Sequence, residues 1–161
     1  MNTPYPATAY LKGFLNTRKI DSFQADLGIE TTLAIFCRQG LQQLFAQVAK
    51  SDQYSANAQR ILTLKHEYIQ TIDDVILFLQ GKNPTLAHLI CKRDFLPEAS
   101  RFEQLDDLHW AFGTMGTQDM AKHLATLYLE DISDLIKECV DLHFGFSRYA
   151  EKLGRSASSF D

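Results

Sequence analysis

From about Ile29 to Asp141, apolar residues recur every three or four positions, and that period decides what this chain can fold into. Leu33, Phe36, Cys37, Leu41, Leu44, Phe45 and Val48 form one such set. Ile61, Leu64, Tyr68, Ile72, Val75 and Leu79 form a second, and Met120, Leu124, Leu127, Ile132, Leu135 and Cys139 a third. A helix with 3.6 residues per turn brings each set onto one face, where a core can cover it. The spacing predicts helices over 29–48, 58–80 and 117–141. Gly81 stands where the second needs a C-terminal cap. Shorter helices are expected from Pro6 through Tyr10, Phe14 and Leu15, after Asn83-Pro84, and after Gly145 with Ser147 as cap.

One stretch breaks the period. Phe23, Ala25 and Leu27 alternate with Gln24 and Asp26, as in a half-buried strand, and Gly28 ends the alternation. The expected fold is therefore mainly α: an irregular bundle of about five to six helices with at most one short strand, residues 22–27. A single helical domain over 1–161 is expected, with a flexible tail at 155–161. A lone strand leaves its backbone groups unpaired. Phe23–Leu27 is thus expected either to pair with another copy of the chain or to be too irregular to count as sheet.

Composition narrows the function classes. The apolar fraction of 45% and charged fraction of 22% are those of an ordinary globular protein. A net charge of −4 argues against a nucleic-acid partner, which calls for a basic face, and gives no reason to expect an anionic membrane surface. No apolar run is long enough to span a bilayer, and no signal peptide is legible. Cys37, Cys91 and Cys139 are an odd number of scattered cysteines, which reads as reduced thiols in the cytoplasm.

Motif by motif, the sequence yields no catalytic and no metal-binding residue. Asp107-Leu-His109 and Asp141-Leu-His143 approach the DxHxxG pattern of a lower cobalamin ligand, but each misplaces the glycine by one residue. They read as ordinary amphipathic helix segments. His88 and Cys91 share a helical face, yet a structural zinc needs four ligands and no second pair follows. Glu67, Asp73, Asp74, Glu130, Asp131 and Asp134 lack the Glu-x-x-His companion of a di-metal bundle and read as solvated acidic faces. There is no serine elbow, P-loop or dinucleotide fingerprint. Trp110-Ala-Phe-Gly-Thr-Met-Gly116 reads as an aromatic turn whose glycines take positive φ or admit close backbone approach. The candidate functional patch is His109, Trp110 and Phe112, joined by Arg148 and Tyr149 near the basic cluster of Arg148, Lys152 and Arg155.

Three segments carry a resemblance. They are Asn2-Thr-Pro-Tyr-Pro-Ala-Thr-Ala-Tyr-Leu-Lys-Gly-Phe-Leu15, Gln24-Ala-Asp-Leu-Gly-Ile29 and His143-Phe-Gly-Phe-Ser-Arg-Tyr-Ala-Glu-Lys-Leu-Gly-Arg-Ser156. Together they resemble the N-terminal region of bacterial radical S-adenosylmethionine proteins that carry a cobalamin-binding-like domain. The resemblance implies that the first segment begins a helix after a strand this chain lacks. It makes the second segment a strand, and has the third close a helical insertion ahead of further parallel strands and a catalytic barrel. It implies an iron–sulfur cluster, S-adenosylmethionine and cobalamin only in a longer protein, because the three-cysteine cluster motif is missing here. No cofactor is expected in this chain. The expected role is a non-catalytic helical portion packed beside a cofactor-binding sheet. Its partner is then the missing C-terminal catalytic portion. The alternative is a free-standing interaction module acting as a homodimer.

Overall fold

Helix boundaries follow the local hydrogen-bond chemistry, and tertiary contacts divide what periodicity alone joins. The computed structural model describes residues 6–48, 53–103, 105 and 116–146. Among them are seven α-helices: α1 (Pro6–Thr17), α2 (Leu27–Ile35), α3 (Arg38–Val48), α4 (Ala56–Thr63), α5 (Lys65–Leu79), α6 (Leu86–Cys91) and α7 (Thr117–Cys139). A 3-10 turn spans Ser100–Phe102, and no strand occurs among the described residues. The chain is mainly α, as the periodicity predicts.

The expected 29–48 helix is two helices. The break falls at Phe36–Cys37. Cys37 Sγ accepts the Gly40 N–H at 3.3 Å, and Asp73 of α5 accepts the Arg38 N–H at 2.9 Å. A carboxylate from a distant helix thus satisfies a donor that the start of α3 would otherwise leave orphaned. The expected 58–80 helix bends at Leu64. Its N–H still reaches Arg60 O and its carbonyl still accepts from Tyr68, so the ladder continues through the bend. Thr63 Oγ1 donates back to Gln59 O at 2.9 Å, a contact that bends helices. Gly81 closes α5 as expected. At φ +78 it lets its own N–H reach Phe78 O and that of Lys82 reach Leu77 O.

The alternation at 22–27 is not a strand. Asp26 Oδ1 accepts the Ile29 N–H at 3.0 Å and Asp26 O accepts from Glu30, so Asp26 caps α2 and Leu27 already belongs to the helix. Phe23 is 88% exposed, which removes the buried face that the alternation implied. Residues 20–26 are irregular backbone. Gly116 corrects a second expectation: it caps α7 at φ −59, ordinary backbone for any residue, and a Cβ there would meet nothing. The Asp141–His143 tripeptide is a turn after α7 rather than helix, with Asp141 Oδ1 accepting the His143 N–H at 2.9 Å.

Contacts divide the chain into two units, one of residues 1–34 and 147–161 and one of Ile35–Phe146. In the second unit α7 is the central element, packed against α6, α4, α5 and the 3-10 turn, while α3 lies on α5. Leu124, Tyr128, Ile132 and Leu135 of α7 meet Tyr68, Ile72 and Val75 of α5 and Ile61 of α4 in one core. All of these are at most 1% exposed. Among the described residues of the first unit, α1 and α2 are joined by the segment capped at Asp26, and Gln24 Nε2 donates to Thr8 Oγ1 at 2.7 Å. No residue from Ala7 to Ala34 is buried.

Candidate functional site

The polar heart of Ile35–Phe146 is Asp131. It falls three residues after Tyr128 and seven after Leu124, so helical geometry turns it toward the core with them. It is fully buried. Its Oδ2 accepts the Ala99 N–H at 3.0 Å and the Tyr68 hydroxyl at 3.3 Å, and its Oδ1 accepts the Arg101 N–H at 3.1 Å. The Tyr68 and Tyr128 rings stack with centroids 5.1 Å apart, and Tyr128 donates to Tyr68 O at 3.0 Å. Burial pushes the Asp131 carboxyl above its usual range, against the hydrogen bonds from Arg101, Ala99 and Tyr68. Burial likewise drives both phenols well above the ordinary tyrosine range; the Asp131 charge adds to the effect on Tyr68.

This constellation is built to hold a turn. Each donor it offers is met inside the protein, and the carboxylate ties the 3-10 turn to α7 and α5. Around it, Arg101 makes a two-pronged pair with Asp134 at 2.6 and 2.8 Å and approaches Glu130 at 3.8 Å. Ser100 N–H reaches Asn57 Oδ1 at 3.2 Å. The acidic residues of α5 and α7 thus divide. Glu67 and Asp74 are exposed as expected. Asp131 is not a solvated residue at all, and Asp73 and Asp134 are committed to arginines. The sequence signal for Asp131 was its place in the apolar register of α7.

The candidate patch of His109, Trp110, Phe112, Arg148 and Tyr149 lies outside the described residues. His88 is exposed on α6, while Cys91 beside it is half-buried and donates to Thr117 O at 3.4 Å. Burial raises the Cys91 thiol, and that of Cys139, where Glu138 adds to the effect. Neither is the low-pKa thiolate that reactive chemistry requires. None of the three cysteines is in a disulfide: Cys37 lies in the break between α2 and α3, Cys91 on α6 and Cys139 on α7. Among the described residues no cluster of histidine, cysteine or carboxylate side chains is placed to hold a metal ion. Among the described residues, Cys37, Cys91 and Cys139 thus do not form the ligand set of an iron–sulfur cluster. No described helix is long and apolar enough to cross a membrane.

Two open grooves are found among the described residues. One of about 500 Å³ is lined by Arg60, Thr63, Arg93, Leu96 and Glu98. Its arginines are already engaged, Arg93 with both oxygens of Glu98 and Arg60 with Glu103. The other, of about 460 Å³, lies in the first unit between Thr8, Lys12, Gln24 and Asp26.

The surface that stands out is apolar. Tyr10 is 80% exposed, Leu11 61%, Phe14 56%, Phe23 88% and Leu27 72%. Tyr10, Leu11 and Phe14 belong, with Ala7 and Leu15, to the apolar set of α1, and the Arg18 guanidinium lies 5.4 Å from the Phe14 ring centroid. No family model, no curated protein and no solved structure matches this chain.

Proposed function

We propose that this chain is a non-catalytic helical portion of a larger cytoplasmic protein of the radical S-adenosylmethionine type, in which its first helices pack beside a cobalamin-type sheet. The observation that carries this reading is the exposure of the large apolar side chains Tyr10, Leu11, Phe14, Phe23 and Leu27. A helix of α1's length is marginal in water by itself, and most helical stability comes from covering an amphipathic face. Each large apolar side chain left in water forfeits roughly 1.5–3 kcal/mol that burial would supply. A twisted sheet is a natural cover, because sheets bury their faces under helices in α/β proteins. The cluster chemistry, in this reading, belongs to the partner portion.

The test begins with the DNA on both sides of the reading frame. Codons for an apolar strand upstream and a CxxxCxxC motif downstream support the proposal; finding neither overturns it. Sedimentation of the chain then separates the homodimer alternative. Self-association that disappears in a Phe14→Ser/Phe23→Ser variant would place a second copy, and not a sheet, on this face.

A further inference from the structure

Two described residues other than glycine take a positive φ, Lys19 and Arg93, and of these Arg93 lines a groove. It follows the last turn of α6 at φ +61, where its N–H reaches Ile90 O at 3.0 Å. Glycine holds the matching place after α5, as Gly81 at φ +78. A side chain in the left-handed region carries a cost that glycine avoids, and such residues collect where the side chain is needed for function. The side chain placed here is a guanidinium in the groove of about 500 Å³.

Neither arginine of this groove is used up by its partner. Glu98 accepts from Nε and Nη2 of Arg93 at 2.8 and 2.6 Å, and Nη1 meets no partner among the described residues. Glu103 accepts from Nη1 of Arg60 at 3.0 Å, which leaves Nε and Nη2 without one among the same residues. A guanidinium carries five N–H donors in a planar fork, so each arginine keeps an edge for a second carboxylate. The Arg60–Glu103 side chains are 48% and 63% exposed, and an ion pair so open to water contributes little. The rest of the lining is largely apolar: Leu64, Leu96 and Pro97, the last two buried. Two cations and one anion line the groove, so one positive charge is unmatched within the lining.

We propose that this groove binds a small organic carboxylate with an apolar body. The carboxylate lies on the remaining edges of Arg60 and Arg93, and the body on Leu64, Leu96 and Pro97. Two-pronged planar pairing suits a carboxylate, and a single negative charge matches the lining. This site stands on the arginine contacts and the lining alone. It does not rest on the family reading, and either can fail without the other.

The experiment is titration of the full chain with sodium benzoate, followed residue by residue in amide NMR spectra. Saturable shifts are expected at residues 60–64 and 93–98, with a Kd of about 1 mM, the range open to a ligand of this size. Arg93→Gly suits the left-handed backbone, so its thermal midpoint is expected to stay close to that of the wild type while the shifts vanish. Arg60→Gln is expected to weaken binding about tenfold, and it supplies the same test if Arg93→Gly loses its fold. Benzyl alcohol, of similar body but uncharged, is expected to bind at least about tenfold more weakly than benzoate. The proposal is overturned by the absence of a saturable shift, by shifts that lie away from the groove, by binding unchanged in a folded variant, or by equal binding of benzyl alcohol.

Discussion

Asp131 is the residue on which the helical unit turns. A buried carboxylate survives because two backbone N–H groups and a phenol meet it. Asp131→Ala strands those three donors, each worth about 1–3 kcal/mol unpaired, so denaturant unfolding is expected to show a loss of about 3 kcal/mol or more. The pH dependence has a defined sign. Burial holds the folded-state carboxyl above the usual 3.8. The folded protein then binds this proton more tightly than the unfolded chain does. Its contribution is full below about pH 3.9 and is lost as the pH rises through the raised value. The unfolding free energy of the wild type minus that of Asp131→Asn should therefore fall as pH rises across that window; a rising difference would contradict the assignment. The neighbouring phenols supply a second check at the same scale. Tyr68 and Tyr128 are expected to stay protonated through the ordinary phenol range and to ionise only as the protein unfolds, read as ultraviolet difference absorbance on alkaline titration.

At the scale of elements, capping decides where helices start and stop. Ser55 begins α4: its Oγ accepts the Ala58 N–H at 3.1 Å and donates to Glu138 Oε2 at 2.7 Å. Glu138 also accepts the Ser55 N–H at 2.7 Å, so one serine both caps α4 and ties it to the end of α7. Ser55→Ala is expected to cost about 1 kcal/mol in chemical denaturation, the usual effect of an N-cap. Restoring the cap with Thr, which keeps the hydroxyl that Glu138 accepts from, should recover part of it. Much of this level is legible in sequence. Pro6 and Gly81 are punctuation with a local mechanism, and the long apolar sets of α5 and α7 are unambiguous, whereas the expected start at 58 missed the Ser55 cap. The strand reading at 22–27 failed because three alternating apolar residues carry less information than one cap. Asp26 satisfies the first turn of α2, and that local bond overrides the pattern. The break between α2 and α3 could not be read, because its donor is met by Asp73 from another helix.

For the whole molecule, the contrast between the two units matters most. Residues 7–34 bury nothing, while Ile35–Phe146 holds the core. Leu11→Ser/Phe14→Ser/Phe23→Ser is therefore expected to leave the thermal midpoint of the helical unit unchanged. Amide hydrogen exchange should show 7–34 opening far more readily than α5 and α7, the elements with the deepest contacts. Slow exchange in α1 would mean that its apolar face is covered in solution, by self-association or otherwise. Of the candidate site, the exposed stripe of α1 was read correctly as apolar. The buried role of Asp131 was not, since a carboxylate on a helix is ordinarily solvated and that expectation outweighed its place in the apolar register of α7.

By itself the sequence determined that this chain is helical, where its strongest helices lie, and that α1 carries an apolar stripe in need of a cover. These follow from period and capping, which act over a few residues. Only the tertiary structure decided that Tyr10, Leu11 and Phe14 of that stripe are exposed, that Asp131 is a buried clasp for a distant turn, and that the Phe36 and Phe146 rings meet. Those depend on contacts between residues far apart in the chain, which the closing of the fold creates and no local pattern encodes.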